Sequence, residues 1–136
     1  VGVRLSPSGT FNGMSDSKPE ETFSAAIRML DQLGIVYVHL VEGMAADVRH
    51  GGRIVPTSVF RPLFKRTLIV CGGYTREKAD AMLEAKGADL IAIATDFIAN
   101  PDLPRRLKDR LPITPTDPST HYSDSAKGYT DYPALA

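Results

Sequence analysis

The sequence is short of several features that would assign it at once. It has one cysteine, Cys71, in 136 residues. That excludes an intrachain disulfide, and the spacing of the cysteine and the three histidines makes no zinc site. It has no net charge: sixteen basic and sixteen acidic residues cancel, and no long block of one sign stands out. Neither nucleic acid nor an anionic membrane is therefore predicted as a partner. No apolar run reaches the length of a membrane span, and no signal-peptide pattern opens the chain. The expectation is a soluble protein of a reducing compartment, the cytoplasm. An initiator methionine is also lacking, and residues 1–5 already read as a strand. This creates the expectation of a piece of a larger protein, or of an incomplete gene reading.

What is present is organised around residues 68–99, LIVCGGYTREKADAMLEAKGADLIAIATDFIA. The run 68–70 is apolar and partly β-branched, and Cys71, Gly72 and Gly73 break it. Thr75 is placed to cap a helix carrying Ala79, Met82 and Leu83, with Gly87 at its C-terminal cap. Residues 89–94 are apolar again and read as a buried strand. Strand, helix and strand make a βαβ unit, so the strands are expected to be parallel and adjacent. Both open on the sheet edge where α/β folds bind ligands.

The remaining segments repeat the pattern. Residues 1–5 form a strand with one cation, Arg4. Two readings of Arg4 stand side by side: a strand-end ion pair, or a fixed guanidinium facing an anionic or electron-rich ligand. Ser17, Pro19 and Glu20 suggest a capping box before a helix whose apolar stripe is Phe23, Ala26, Ile27, Leu30 and Leu33, closed by Gly34. Residues 35–41 form a buried strand with Tyr37 and His39 on one face. A histidine there is more often a hydrogen-bonded core residue than a catalyst. The loop 42–54, which carries His50, Gly51, Gly52 and Arg53, is either a solvated connection or a lid. Residues 56–64 are a short helix candidate interrupted by Pro62. Asn100 and Pro101 suggest a helix start with Leu103 and Leu107 inward, while Arg105, Arg106, Lys108 and Arg110 form a solvent-facing basic face. From Pro112 the tail has no period, but Tyr122, Tyr129 and Tyr132 imply that it packs back on something. Four strands alternating with helices imply a parallel sheet, either half of an eight-fold barrel or a small open sheet.

Five segments together carry a resemblance: VRLSP (3–7), YVHLVEG (37–43), CGGYT (71–75), FIANPDL (97–103) and GYTDYP (128–133). In this order they resemble the C-terminal half of Old Yellow Enzyme family flavoproteins, with FIANPDL and GYTDYP the specific pair. The resemblance implies an α/β fold, strands five to eight of a (β/α)8 TIM barrel. Residues 1–111 would form the half-barrel and 112–136 a tail packing back on it. It implies FMN as cofactor, NADPH as reductant and a small-molecule enone as substrate.

The resemblance also implies roles for single residues. Arg4 falls on the arginine at the pyrimidine edge of the flavin, where a cation stabilises negative charge on the reduced ring. Gly72 and Gly73 fall on the loop whose amides meet the FMN phosphate. Tyr122 matches a tyrosine of the substrate pocket. Phe97 matches an aromatic near the phosphate-side rim of the cofactor, with ordinary core packing as the alternative. Ala94 and Thr95 stand where the family has a Gly-Arg phosphate grip. Losing that guanidinium removes roughly 1.5–3 kcal/mol, about ten- to a hundredfold in affinity. The family's substrate-anchoring pair and proton-donating tyrosine lie in its first four strands, so no catalytic residue is expected in these 136 residues. Three functions remain open on this reading. They are the C-terminal half of an FMN-dependent ene-reductase, a non-enzymatic half-barrel that binds FMN weakly or pairs with another half, and an open-sheet module holding another phosphorylated ligand. The expected macromolecular partner is the missing half-barrel or a second copy.

Overall fold

The computed structural model describes residues 1–44, 53–122 and 124–135. Residues 45–52, where the lid alternative for the 42–54 loop falls, lie outside the described residues. The chain forms two compact units, Val1–Ala92 and Ile93–Ala136.

The first unit is a four-stranded parallel sheet in the order of the chain: β1 (Gly2–Leu5), β2 (Tyr37–Val41), β3 (Thr67–Cys71) and β4 (Leu90–Ile91). Arg4 lies opposite His39, His39 opposite Ile69, and Ile69 opposite Leu90, so one register line crosses all four strands. Alternation then sorts the side chains. Val38, Leu40, Leu68 and Val70 point to one face and are fully buried with Ile27, Phe60 and Phe64. Each such apolar side chain contributes about 1.5–3 kcal/mol. The other face carries exposed Arg4, Tyr37 and Leu90, with His39, Ile69 and Cys71 half-buried. Parallel sheets are ordinarily covered on both faces. In a (β/α)8 barrel helices cover only the outer side of the sheet, and the inner layers come from alternate residues of its strands.

The helices of this unit are α1 (Pro19–Gln32), α2 (Thr57–Phe60) and α3 (Arg76–Glu84). The α1 stripe packs as read except at its end, where Leu33 is the C-cap and 70 % exposed, just before Gly34 turns at φ +70°. No capping box forms at Ser17. Lys18 holds the cap position, and its amide donates to Asp16 Oδ1 at 2.7 Å. Pro19 at the first helical position brings no amide to cap. Thr75 does cap α3, its hydroxyl accepting from the Lys78 amide at 3.3 Å. At the other end Lys86, not Gly87, takes the left-handed conformation, and the Gly87 amide donates to the Met82 carbonyl at 2.9 Å. This is a Schellman closure with glycine one position further on. Strand β4 is two residues long, against an expectation of 89–94, because the backbone has left the extended region by Ala94 (φ −106°, ψ −58°). Asp89 fixes its entry by accepting from the Leu68 amide at 2.8 Å and from Arg61 Nη1 at 2.6 Å. The Leu68 bond first, then Arg61, holds its carboxyl below the usual range.

The second unit contains α4 (Thr95–Ala99), α5 (Leu103–Asp109) and the tail. Two sequence expectations change here. Asn100 does not cap α5. It is fully buried, donates to the Asp96 and Thr114 carbonyls at 2.6 and 2.9 Å, and accepts from the Thr114 amide at 2.9 Å. Arg106 is not part of a solvent-facing basic face but is 2 % exposed. Its guanidinium donates to Asp102 Oδ1 at 2.7 Å, the Pro112 carbonyl at 3.2 Å, the Thr114 hydroxyl at 3.0 Å and the Pro133 carbonyl at 3.3 Å. Five donors in a rigid fork suit an arginine to gather a segment without secondary structure. The tyrosines serve the tail as acceptors: Tyr132 takes the Asp117 amide at 3.0 Å and Tyr129 the Tyr122 amide at 2.8 Å.

Candidate functional site

The strands of the first unit end on one edge, and three of the singled-out residues stand there. Arg4 projects from β1 on the less covered face. Its Nη2 lies 3.9 Å from Cys71 Sγ, and it forms no ion pair with the described residues. The ion-pair reading of Arg4 therefore has no partner there. Cys71 leads directly into Gly72 and Gly73, at φ +139° and +57°. A Cβ on Gly72 would come within 3.0 Å of the Glu42 carbonyl oxygen, and one on Gly73 within 3.0 Å of Met44 Sδ. Gly72 requires glycine for both its φ and its space, while Gly73 takes a left-handed φ that glycine favours and meets only the end of the Met44 side chain; the turn presents backbone rather than side chain.

Beside Arg4 a cavity of about 650 Å³ is lined by the β1–α1 loop, including Ser6, Ser8 and Phe11, and by Val41, Glu42 and Gly43 after β2. Ser8 anchors that loop, its hydroxyl accepting from the Val55 amide at 2.9 Å. His39 sits one strand from Arg4, its Nε2 buried without a hydrogen-bond partner among the described residues. Burial, then the Arg4 guanidinium, holds its imidazole below the ordinary value. Its Nε2 meets no acid or hydroxyl among the described residues that would make it a proton shuttle.

The sequence reading passed over the residues that hold the glycine turn. Glu42 Oε1 accepts from the Thr57 hydroxyl at 2.6 Å, and its Oε2 lies 3.6 Å from Lys78 Nζ. Lys78 Nζ also donates to the Gly72 carbonyl at 3.0 Å and stands 4.1 Å from the Tyr74 ring centroid. The Tyr74 phenol is raised by burial and then by the Glu42 carboxylate. One signal was available: a lysine in the first turn of a helix opposes the helix dipole and so calls for a compensating contact.

In the second unit Ala94 and Thr95 are exposed at the start of α4. They line a cavity of about 210 Å³ with Ile98, His121, Tyr122 and Tyr129. Tyr122 is 95 % exposed with φ +60°, and Phe97 is 46 % exposed and does not line that cavity. Arg4, Gly72 and Gly73 thus form one local group, and Ala94, Thr95 and Tyr122 another. Among the described residues no cluster of three or more His, Cys, Asp or Glu side chains could hold a metal ion, and no helix is long and apolar enough to cross a membrane.

Comparison with known proteins places these groups in context. The sequence profile of the NADH:flavin oxidoreductase / NADH oxidase family matches residues 1–114. The chain is 38 % identical over 146 residues to putative 12-oxophytodienoate reductase 10 of Oryza sativa subsp. japonica, covering 99 % of this chain and 45 % of that protein. It is 38 % identical over 140 residues to 12-oxophytodienoate reductase 2 of Arabidopsis thaliana, covering 37 % of it. Among solved structures, the old yellow enzyme homologue from Zymomonas mobilis superposes with a TM-score of 0.90 at 39 % identity, over 98 % of this chain and 38 % of that one. The chain spans less than half the length of the curated relatives it matches.

Proposed function

The chain belongs to the NADH:flavin oxidoreductase / NADH oxidase family, in its Old Yellow Enzyme branch, and from that premise we propose that it serves an FMN-dependent ene-reductase that uses NADPH and reduces the activated C=C bond of enones. The fold is the α/β half-barrel of that family. The proposed setting is the cytoplasm, where a lone thiol stays reduced. The observation that carries the reading is the placement of an unpaired guanidinium, Arg4, beside the bare glycine turn at the ligand-binding edge of the sheet.

FMN, when bound, supplies the hydride chemistry. The residues of this chain bind and orient. Arg4 would face the pyrimidine edge of the flavin and stabilise negative charge on the reduced ring, a favourable role for a cation with no ion pair among the described residues. The amides of the 72–73 turn would meet the phosphate, since no Cβ stands between backbone and ligand. Thr95 would add a hydroxyl where the family resemblance leads one to expect a guanidinium. Tyr122, exposed at the rim of its cavity, would line the substrate pocket. No residue of this chain is assigned the proton to be delivered to the substrate.

A second reading is favoured by the less covered sheet face and by Thr95: a non-enzymatic half-barrel that binds FMN weakly or pairs with another half. Purifying the chain separates the two. A yellow chromophore with NADPH oxidation in the presence of an enone supports the enzyme; a colourless protein inert to NADPH supports the second. Both readings predict self-association, because β1 and β4 leave unpaired edges and the inner face is apolar at Leu90 and Ile69. Size-exclusion chromatography with light scattering should show a dimer or larger species at micromolar concentration, and a cooperative monomer would refute it.

A further inference from the structure

We infer that Lys78 is a positioning residue for the phosphate-binding turn: by holding the Gly72 carbonyl it aims the Gly73 amide. The inference rests on the proposed FMN reading and extends it to a residue outside the turn.

The argument starts from the peptide plane. The carbonyl of Gly72 and the N–H of Gly73 belong to one planar trans peptide, so they point in opposite directions. A grip on the carbonyl sets the direction of the amide at the other end. Left alone, this peptide would turn easily, because glycines flank it on both sides and tolerate both signs of φ. Lys78 supplies the grip, with Nζ 3.0 Å from the Gly72 oxygen.

The rest of the cluster holds Lys78 in place. An ammonium has three hydrogens. One goes to the Gly72 carbonyl, a second faces Glu42 Oε2 at 3.6 Å, and the cation lies over the Tyr74 ring at 4.1 Å. Glu42 is itself fixed, since the Thr57 hydroxyl donates to its other oxygen at 2.6 Å and its amide donates to the Cys71 carbonyl at 2.8 Å. Thr57 and Tyr74 are 4 % and 5 % exposed, so both supports are rigid. A Cβ on Gly72 would meet the Glu42 carbonyl oxygen at 3.0 Å, so a side chain there would crowd the same support. Lys78 is thus tied to the turn through the Gly72 carbonyl, the Glu42 carboxylate and the Tyr74 ring. Its part is orientation, and Glu42 offsets the helix-dipole cost of a cation in the first turn of α3.

The test compares FMN with riboflavin, which differ only in the phosphate, by flavin fluorescence quenching on the 136-residue chain and on Lys78→Met. Methionine keeps the stem over Tyr74 and removes the donor. The chain should bind FMN at least about tenfold more tightly than riboflavin, and Lys78→Met should reduce that ratio about tenfold while leaving riboflavin affinity and melting temperature nearly unchanged. A variant that keeps the full ratio, or that weakens both ligands equally, overturns the role assigned to Lys78 and leaves the phosphate reading standing. A parent chain that does not favour FMN over riboflavin overturns the phosphate reading, and this inference with it.

Discussion

The Arg4 guanidinium reaches diagonally across β2 to within 3.9 Å of the Cys71 thiol, at the end of the third strand. Sulfur is a weak acceptor. The contact steers the guanidinium toward the glycine turn, and no ion pair among the described residues engages it. It joins two residues 67 positions apart.

Arg4→Met should therefore leave stability nearly unchanged, within about 0.5 kcal/mol, as for exposed side chains outside a network. In a flavin-loaded protein it should slow flavin reduction by NADPH. Stopped-flow absorbance together with a thermal melt checks both. A large fall in melting temperature with unchanged flavin reduction would return Arg4 to a structural role.

His39 sets an acid limit on stability. Its imidazole titrates below the ordinary 6.5 in the folded state, so the folded chain binds that proton less readily than the unfolded one. The His39 contribution is then complete above about pH 6.5 and is lost as pH falls through that value toward the folded one. His39→Gln should flatten the fall in melting temperature between about pH 6.5 and pH 5. Parallel melting curves for the two proteins across that range would exclude the assignment.

Arg106→Met should loosen the second unit and spare the sheet. The change leaves Asp102 and the acceptors at Pro112, Thr114 and Pro133 without their shared donor. The unit's melting temperature should fall by roughly ten degrees. Amide hydrogen exchange should accelerate at 113–114 and 134–135 but not in β2 and β3. Equal acceleration throughout would show that Arg106 does not act locally.

Thr95→Arg made with Ala94→Gly should tighten FMN by about tenfold or more, through a bidentate charge-assisted contact. Both positions are exposed at the start of α4, so an arginine meets no packed neighbour. The gain should shrink as salt rises, because it is a charge pair. Fluorescence titration at low and high salt measures it, and unchanged affinity at low salt would remove the phosphate from Thr95.

By itself the sequence determined the elements and their class. Apolar runs at Val38 to Leu40 and Leu68 to Val70, the stripe around Ile27, and glycines where φ turns positive are local signals. Each depends on neighbours a few residues away, so alternation and the Thr75 cap could be read directly, while the caps expected at Ser17 and Asn100 do not form. The segments that resemble the flavin oxidoreductases, and with them Arg4 and the glycine turn, were legible for the same reason. What only the tertiary structure decided are the relationships between distant residues. Arg106 reads as one more cation on a basic helix face, and becomes a buried clamp only because the tail beyond Pro112 returns to it. Asn100 reads as a cap and instead bonds Thr114 on both its oxygen and its nitrogen. Glu42 and Lys78 stand 36 positions apart in the sequence; Glu42 falls within YVHLVEG without an assigned role, and Lys78 carries no motif. Parallel register brings the end of β2 beside the turn after β3, and only then do a carboxylate, an ammonium and a glycine carbonyl share one place. A hydrogen bond depends on distance in space, and the sequence states only distance along the chain.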